Sequence, residues 1–289
     1  MQLHSIHTGN FKLDGGAMFG VVPKVLWQKH ITPDSNNLCT WAMRCLLIED
    51  GDHLLLIDTG IGNKQSEKFF QHYHLHGPTS MDSELERSGF SRDDITDVLL
   101  THLHFDHVGG AVERNSMGQL RPAFPNAQYW TCQPHWDWAI NPNSRERASF
   151  LTENLLPLEE SGQLNFIERS GRWNHNPISS KFPGLEIFFA DGHTESQMLP
   201  IVEFKGTKVA YMADLTPSVA HLPTAWVIGY DTRPLLTMEE KVELLTKAEK
   251  ENWILFFEHD AQNACCTLQS TEKGIRARNL APSLELLWG

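Results

Sequence analysis

Short apolar runs broken by turn residues recur along the chain, and they predict its elements. Residues 43–49 (MRCLLIE) and 53–58 (HLLLID) flank Asp50-Gly51-Asp52 and read as a β-hairpin, since two apolar runs about a Gly-centred turn favour antiparallel pairing. Residues 82–88 have helical character, with Gly89 as a stop signal. Ser91 followed by Asp94 has the spacing of a capping box opening a short helix, and DVLL (97–100) then reads as a short buried strand. Further strands are expected at 127–132 (AQYWTC), 164–168 (LNFIE) and 185–190 (LEIFFA). Residues 198–204 and 207–213 predict a second hairpin about Lys205-Gly206. Thr237 with Glu240 suggests another capping box, and Val242, Leu245 and Ala248 trace one face of a helix reaching about Glu251. WILFF (253–257) is a last buried strand.

The order is hairpins, then helices and strands, seen twice. No low-complexity linker divides the chain, so residues 1–289 are expected to form one domain of two similar halves. The class is α/β. Two sheets packed face to face with helices outside would bury such strands on both faces.

Composition narrows the function classes. The 289 residues are 40% hydrophobic, enough for a substantial core, and no apolar run is long enough to span a membrane. The formal charge of −12 argues against nucleic acid and against anionic membrane surfaces as partners. The first residues, MQLHSIHTGNFKLDGG, contain no apolar secretion signal, and a cytoplasmic location is expected. Five cysteines without a C-x-x-C pair fit reduced thiols rather than a zinc ribbon or a disulfide framework, and Cys265-Cys266 is expected to be an ordinary thiol pair.

The candidate chemistry sits where strands end. His102, His104, Asp106 and His107 follow DVLL; Asp191, Gly192 and His193 follow LEIFFA; Asp214 follows VAYMA; Glu258 and His259 follow WILFF; Asp58 follows LLLI. Loops at strand ends are where a rigid scaffold presents functional groups. His102 and His104 lie two apart and can point the same way, and Gly109-Gly110 lets the backbone turn Asp106 and His107 toward a neighbouring position. Asp214 has two oxygens and could bridge two cations, with His193 completing one set and His259 the other. Such mixed nitrogen and oxygen donors suit zinc, and also manganese, iron or cobalt. A second histidine run, His72, His74 and His76, lacks a carboxylate and reads as a polar face or a loop near a pocket mouth.

THLHFDHVGG (101–110) closely resembles the H-x-H-x-D-H signature of the metallo-β-lactamase superfamily. DTG (58–60), DGHT (191–194), AD (213–214) and EHD (258–260) are similar to that superfamily's remaining motifs, in the same order. The resemblance implies a four-layer αββα sandwich with a binuclear metal site at one edge of the sheets. It implies two divalent ions, zinc foremost. One would rest on His102, His104 and His193, and the other on Asp106, His107 and His259. Asp214 would bridge them, and Asp58 would steady a ligand histidine. DGGAMFGVVPKVLW (14–27) and ADLTPSVAHLP (213–223) resemble the branch of quorum-quenching lactonases and organophosphate hydrolases. By that resemblance Met18 and Phe19 line the substrate pocket and His221 reaches it. Well-known lactonases of this branch carry a tyrosine three positions after the bridging aspartate, where Pro217 stands here; Tyr211, Tyr230, His221 or the metals would have to serve instead.

The activity implied is hydrolysis of a lactone or ester small molecule by a hydroxide shared between two ions, with Asp106 and Asp214 as catalytic carboxylates. Phosphotriester or general ester hydrolysis on the same site is the neighbouring reading, and a non-catalytic metal-binding module the remote one. Relatives of the branch are often dimers, and the aromatic run around Phe69–Tyr73 would suit a homodimer interface.

Overall fold

The computed structural model describes residues 1–175, 177–178 and 181–288. Strands β1 (Gln2–Asp14), β2 (Leu38–Asp50), β3 (His53–Ile57) and β4 (Asp97–Leu99) are followed by a small separate hairpin, β5 (Val112–Arg114) and β6 (Leu120–Pro122). With β7 (Gln128–Cys132) and β8 (Leu164–Ile167) the first four form a sheet in the order β1-β2-β3-β4-β7-β8. The second sheet is built from β9 (Trp173–Asn174), β10 (Leu185–Ala190), β11 (Gln197–Phe204), β12 (Thr207–Tyr211), β13 (Ile254–Phe256), β14 (Cys265–Thr271) and β15 (Gly274–Ala281). Its order runs straight from β15 back to β9. Both predicted hairpins are present, as β2–β3 and β11–β12. Parallel pairing joins β3 to β4, β4 to β7 and β7 to β8 in the first sheet, and β12 to β13 in the second.

The sheets pack face to face. Leu46, Ile48, Leu55 and Ile57 of the first meet Ile187, Phe189, Met198 and Val202 of the second in one core cluster. The alternate residues serve the outer faces, because side chains of a strand point to opposite sides of its sheet. Leu47, Leu54, Leu56 and Val98 pack outward against Leu85 of α4 (Met81–Arg87), Trp136 of α6 (Gln133–Ile140) and Leu158 of α7 (Thr152–Glu160). Phe188, Leu199, Ile201 and Ala210 pack against Leu244, Leu245 and Ala248 of α8 (Pro234–Lys250). Burial on both faces explains why these strands read as unbroken apolar runs, and it gives the expected αββα layering. The short helices α1 (Gly15–Phe19), α2 (Lys24–Trp27), α3 (Glu67–Gln71) and α5 (Phe105–Val108) lie at the sheet edge and carry the site and its walls.

The structure departs from the sequence expectations in several places. The 13-residue β1 has no counterpart among the predicted strands. Its buried residues, Leu3, Ile6, Gly9 and Phe11, do not alternate strictly, because the register with β2 shifts between His7 and Asn10. Helix α8 starts at Pro234, a proline position that needs no N–H, rather than at a Thr237 cap. Thr237 and Glu240 lie inside that helix, and Glu240 accepts the N–H groups of Asp191 (2.7 Å) and Gly192 (3.0 Å) instead of closing a capping box. Val242, placed on the buried face by spacing, is 49% exposed. The aromatic run at Phe69–Tyr73 is half-buried, with Phe69 and Tyr73 packed edgewise and tilted on Phe105 at 5.5 and 4.7 Å.

All five cysteines are free and buried, and burial pushes the Cys265 thiol up to about 12, which keeps it protonated and inert. No helix among the described residues is long and apolar enough to cross a membrane.

Candidate functional site

Five strand ends converge at one edge of the two sheets. After β4 the chain continues extended through His102 and turns at His104 into the single turn of α5, where His107 and Val108 both donate to the His104 carbonyl at 3.0 Å. That turn swings Asp106 and His107 away from the line of His102. It is clamped against the segment after β3: Thr59 N–H and O–H both donate to the His107 carbonyl at 2.8 Å, and Gly110 N–H donates to Gly60 O at 2.8 Å. A Cβ on Gly109 would lie 2.2 Å from Ile61 O, so the glycine pair is required by backbone approach. Asp58 sits there with φ +56°. Its carboxylate accepts Thr101 N–H (2.8 Å), Thr101 O–H (2.7 Å) and the His107 Nδ1–H (3.1 Å), which fixes the His107 ring with Nε2 facing the cluster.

The second half supplies the rest. His193 follows β10 in a turn held by the Arg169–Asp191 ion pair (2.6 Å), and its Nδ1 meets Asp231 Oδ1 at 2.9 Å. Asp214 follows β12. His259 follows β13, donates its N–H to Pro217 O (3.2 Å) and sets Nδ1 against Ala42 O (2.8 Å). In each ring one nitrogen is thus tied to the frame and the other is left toward the centre.

The centre has two groups of donor atoms within reach of a metal: His102, His104, His193 and Asp214 in one, Asp106, His107 and His259 in the other. Asp214 Oδ2 lies 3.1 Å from His193 Nε2, and its Oδ1 lies 3.2 Å from His259 Nε2. His193 Nε2 is 3.2 Å from His104 Nδ1, and His259 Nε2 is 3.3 Å from His107 Nε2. Asp106 Oδ2 is 3.8 Å from His259 Nε2. All seven residues are buried. His102 Nε2 and Asp214 Oδ1 have no hydrogen-bond partner among the described residues. Burial lowers His193 and His259, but the Asp214 carboxylate overcomes it and pushes them up to about 10 and about 9. Burial also opposes ionisation of Asp214, yet His193, His259 and His107 hold it well below the usual carboxylate range. Burial and the neighbouring rings instead push His102 and His104 down, so these two stand as neutral imidazoles beside the Asp214 carboxylate. Neutral and orphaned imidazole nitrogens around a buried carboxylate are the donor set a divalent cation satisfies.

Two further carboxylates, invisible to the sequence reading, hold this set. Glu146 Oε1 accepts from Thr194 O–H (2.6 Å) and lies 3.4 Å from His104 Nε2; its Oε2 accepts from Trp138 (2.8 Å) and Asn143 (2.5 Å). Asp231 does the same for His193. Neither ends a predicted strand or forms a motif, so no local signal marks them. Glu258 lies 2.9 Å from His107 Nδ1 on the side away from the centre, with Asp58, rather than among the ring nitrogens. Burial raises Glu146, but the hydrogen bonds from His104 and Thr194 win and bring it down to about 2. A carboxylate depressed in the folded state from an unfolded value of 4.5 contributes stability that is present above pH 4.5 and is lost as pH falls toward 2. Glu146→Gln is therefore expected to unfold at lower denaturant than wild type at pH 7, by on the order of 2–3 kcal/mol, with the gap closing between about pH 5 and pH 2. A gap independent of pH in denaturant titrations would sink that assignment.

A cavity of about 340 Å³ opens over the cluster. Its floor is His104, Asp106, His193, Asp214 and His259, and its walls include Met18, Tyr73, Phe105, Arg145 and Tyr230. Met18 therefore lines it as expected. Phe19 and His221 do not. Phe19 is fully buried, stacked 4.5 Å from His221 and 5.2 Å from Trp27. His221 donates from Nε2 to Met18 O at 2.9 Å and accepts the Ser218 O–H at Nδ1 at 2.8 Å. Burial pushes it down to about 3, so it is a neutral brace behind Met18 rather than a group facing substrate. Tyr211 is fully buried with its hydroxyl on Arg44 O (2.9 Å), which leaves Tyr230 as the tyrosine of the predicted set that faces the cavity. His72, His74 and His76 are exposed, while Tyr73 between them lines the cavity.

The sequence profile of the metallo-beta-lactamase superfamily matches residues 44–113, which span Asp58 and the His102–His107 string. A probable metal-dependent hydrolase from Staphylococcus aureus is similar in structure, with a TM-score of 0.86 and 29% identity over 98% of both chains. The N-acyl homoserine lactonase AiiA of Bacillus thuringiensis subsp. kurstaki is 24% identical over 241 residues, 78% of this chain and 83% of the relative. AidC, a dizinc quorum-quenching lactonase solved with N-hexanoyl-L-homoserine product, has the same fold with a TM-score of 0.74 at 20% identity, covering 97% of this chain and 94% of its own.

Proposed function

This chain carries a metallo-beta-lactamase domain and is a metal-dependent hydrolase of ester bonds, and from that premise we propose that it opens a lactone at a binuclear centre. The observation that carries the reading is Asp214, whose carboxylate lies against both histidine groups: Oδ2 is 3.1 Å from His193 Nε2 and 3.6 Å from His107 Nε2, and Oδ1 is 3.2 Å from His259 Nε2. His102, His104 and His193 would hold one ion and Asp106, His107 and His259 the other, with Asp214 lying against both sets. Donors of this kind with no cysteine among them fit zinc. Divalent ions there supply Lewis acidity and bring the pKa of water toward about 7.

The chain's own groups do the rest. Asp106, on the cavity floor, holds a carboxylate where a proton can pass to the departing alkoxide oxygen. Burial pushes the Tyr230 phenol up to about 12, so at neutral pH it remains an O–H donor on the cavity wall. It takes the carbonyl contact that Pro217 cannot make, since proline has neither a hydroxyl nor an N–H to donate. Leu13, Met18 and Phe105 offer an apolar wall to an acyl chain.

Ring opening of N-acyl homoserine lactones, followed by proton release on protein of counted metal content with paraoxon in parallel, tests this. Turnover of lactone at two metals per chain supports it. Two metals with paraoxon or simple-ester turnover and no lactone activity would keep the centre and move the substrate. No turnover of any of them with both metals bound would leave a metal-binding module. Tyr230→Phe is expected to raise KM for the lactone by about tenfold with metal content unchanged.

A further inference from the structure

Glu240 and Lys241 are consecutive residues of α8, and both are fully buried. Among the described residues neither forms an ion pair. Buried charges cost several kcal/mol unless every polar atom is answered, and a plain helix-to-sheet contact is served better by leucine. Here each charge is answered wholly by backbone, and the two point at different loops. Glu240 Oε1 accepts Asp191 N–H at 2.7 Å and Oε2 accepts Gly192 N–H at 3.0 Å. Lys241 Nζ donates toward four carbonyls, His221 (2.5 Å), Pro223 (3.0 Å), Thr224 (3.4 Å) and Trp226 (2.9 Å).

Each loop reaches the site. The Asp191–Gly192 turn delivers His193, and it is seated so closely on α8 that a Cβ on Gly192 would lie 2.4 Å from Thr237 N. The 221–226 loop carries His221, whose Nε2 donates to Met18 O, and Trp226, which meets Phe19 edge-on at 5.9 Å. Met18 is the cavity wall that this pair supports.

We propose that the Glu240–Lys241 pair is a two-way positioning device: the carboxylate fixes the turn that carries His193, and the ammonium fixes the loop that braces the Met18 wall. Glu240 governs retention of the metal and Lys241 governs fit of the substrate, although neither touches either one. The second half of this rests on the reading of the cavity as the substrate pocket; the first rests only on the metal cluster.

The test uses the zinc-loaded chain and the variants Glu240→Gln and Lys241→Gln. Release of zinc to a colorimetric chelator is expected to be about 10–100-fold faster in Glu240→Gln and unchanged in Lys241→Gln. KM for the substrate is expected to rise about tenfold in Lys241→Gln with kcat within about twofold, and to stay near wild type in reloaded Glu240→Gln. Hydrogen exchange followed by mass spectrometry is expected to quicken at 191–195 in the first variant and at 218–228 in the second. Equal loss of zinc retention and KM in both variants, or no change in either, overturns the proposal. Should Lys241→Gln unfold the chain, Lys241→Arg, which keeps the cation but misplaces its donors, is read by the same three measurements. Should the wild type hydrolyse nothing, the proposed function falls, while zinc release and exchange still decide the inference.

Discussion

Asp214→Ala is expected to reduce kcat/KM for ester or lactone hydrolysis by at least about a thousandfold and to strip metal from the chain. The reason is its double contact. Removing it leaves His193 and His259, each now within about 3 Å of that carboxylate, facing one another's charge with no anion between them. It also removes the carboxylate that lies 3.8 Å from His102 Nε2. Metal analysis beside the assay makes the result readable: full activity at normal metal content would show that the cluster is not the catalytic centre. Loss of activity with both ions retained would instead make Asp214 a proton carrier.

The second large effect is on stability. Gly110→Ala is expected to cost about 3–5 kcal/mol, read as a fall in the denaturant midpoint, because its Cβ would lie 2.2 Å from Thr59 O and 3.1 Å from Thr59 C. Backbone cannot move aside as the end of a flexible side chain can. The segments that would have to separate are the one carrying Asp58 and the one carrying His107, so metal retention should fall along with stability. Gly171→Ala is the control, since nothing lies within 4 Å of a Cβ there; its midpoint should stay at the wild-type value. Equal midpoints for the two variants would mean that the close approach at Gly110 relaxes without cost.

The metal-competent string His102–His107 was legible because its chemistry is local: four donor-bearing residues in one turn after a buried strand have few other uses. The strands legible in sequence are those buried on both faces. Strand β1 was not, because a register shift breaks its alternation and most of its residues are only partly buried. Glu146 and Asp231 escaped notice for a different reason. Their role exists only in relation to His104 and His193, which are distant in sequence, and a carboxylate at the end of a loop looks like any solvated turn residue. Phe19 and His221 were legible as important and were misplaced by one layer: they stack on each other behind Met18, so their contribution is the rigidity of a wall rather than contact with substrate. Likewise Thr237 and Glu240 have the spacing of a cap, but the proline at 234 starts the helix earlier and frees Glu240 to reach the Asp191–Gly192 turn.

The donor atoms of the cluster come from both halves of the chain. His102, His104, Asp106 and His107 follow the first sheet's β4, whereas His193, Asp214 and His259 follow strands of the second. Across the same seam, Ala42 N–H and Arg44 N–H of β2 donate to His259 O and Glu258 O at 3.1 Å. During synthesis, the four N-terminal donors emerge long before His259, and until then they have neither bridging carboxylate nor partner ring. Each of the two donor sets draws on both halves, so an ion in either would be held only by a chain whose halves have closed. Binding of that ion adds stability in proportion to the logarithm of its concentration, roughly 1.4 kcal/mol for each tenfold excess over Kd. Metal supply thus sets how much of the chain stays closed, as well as how much of it is active.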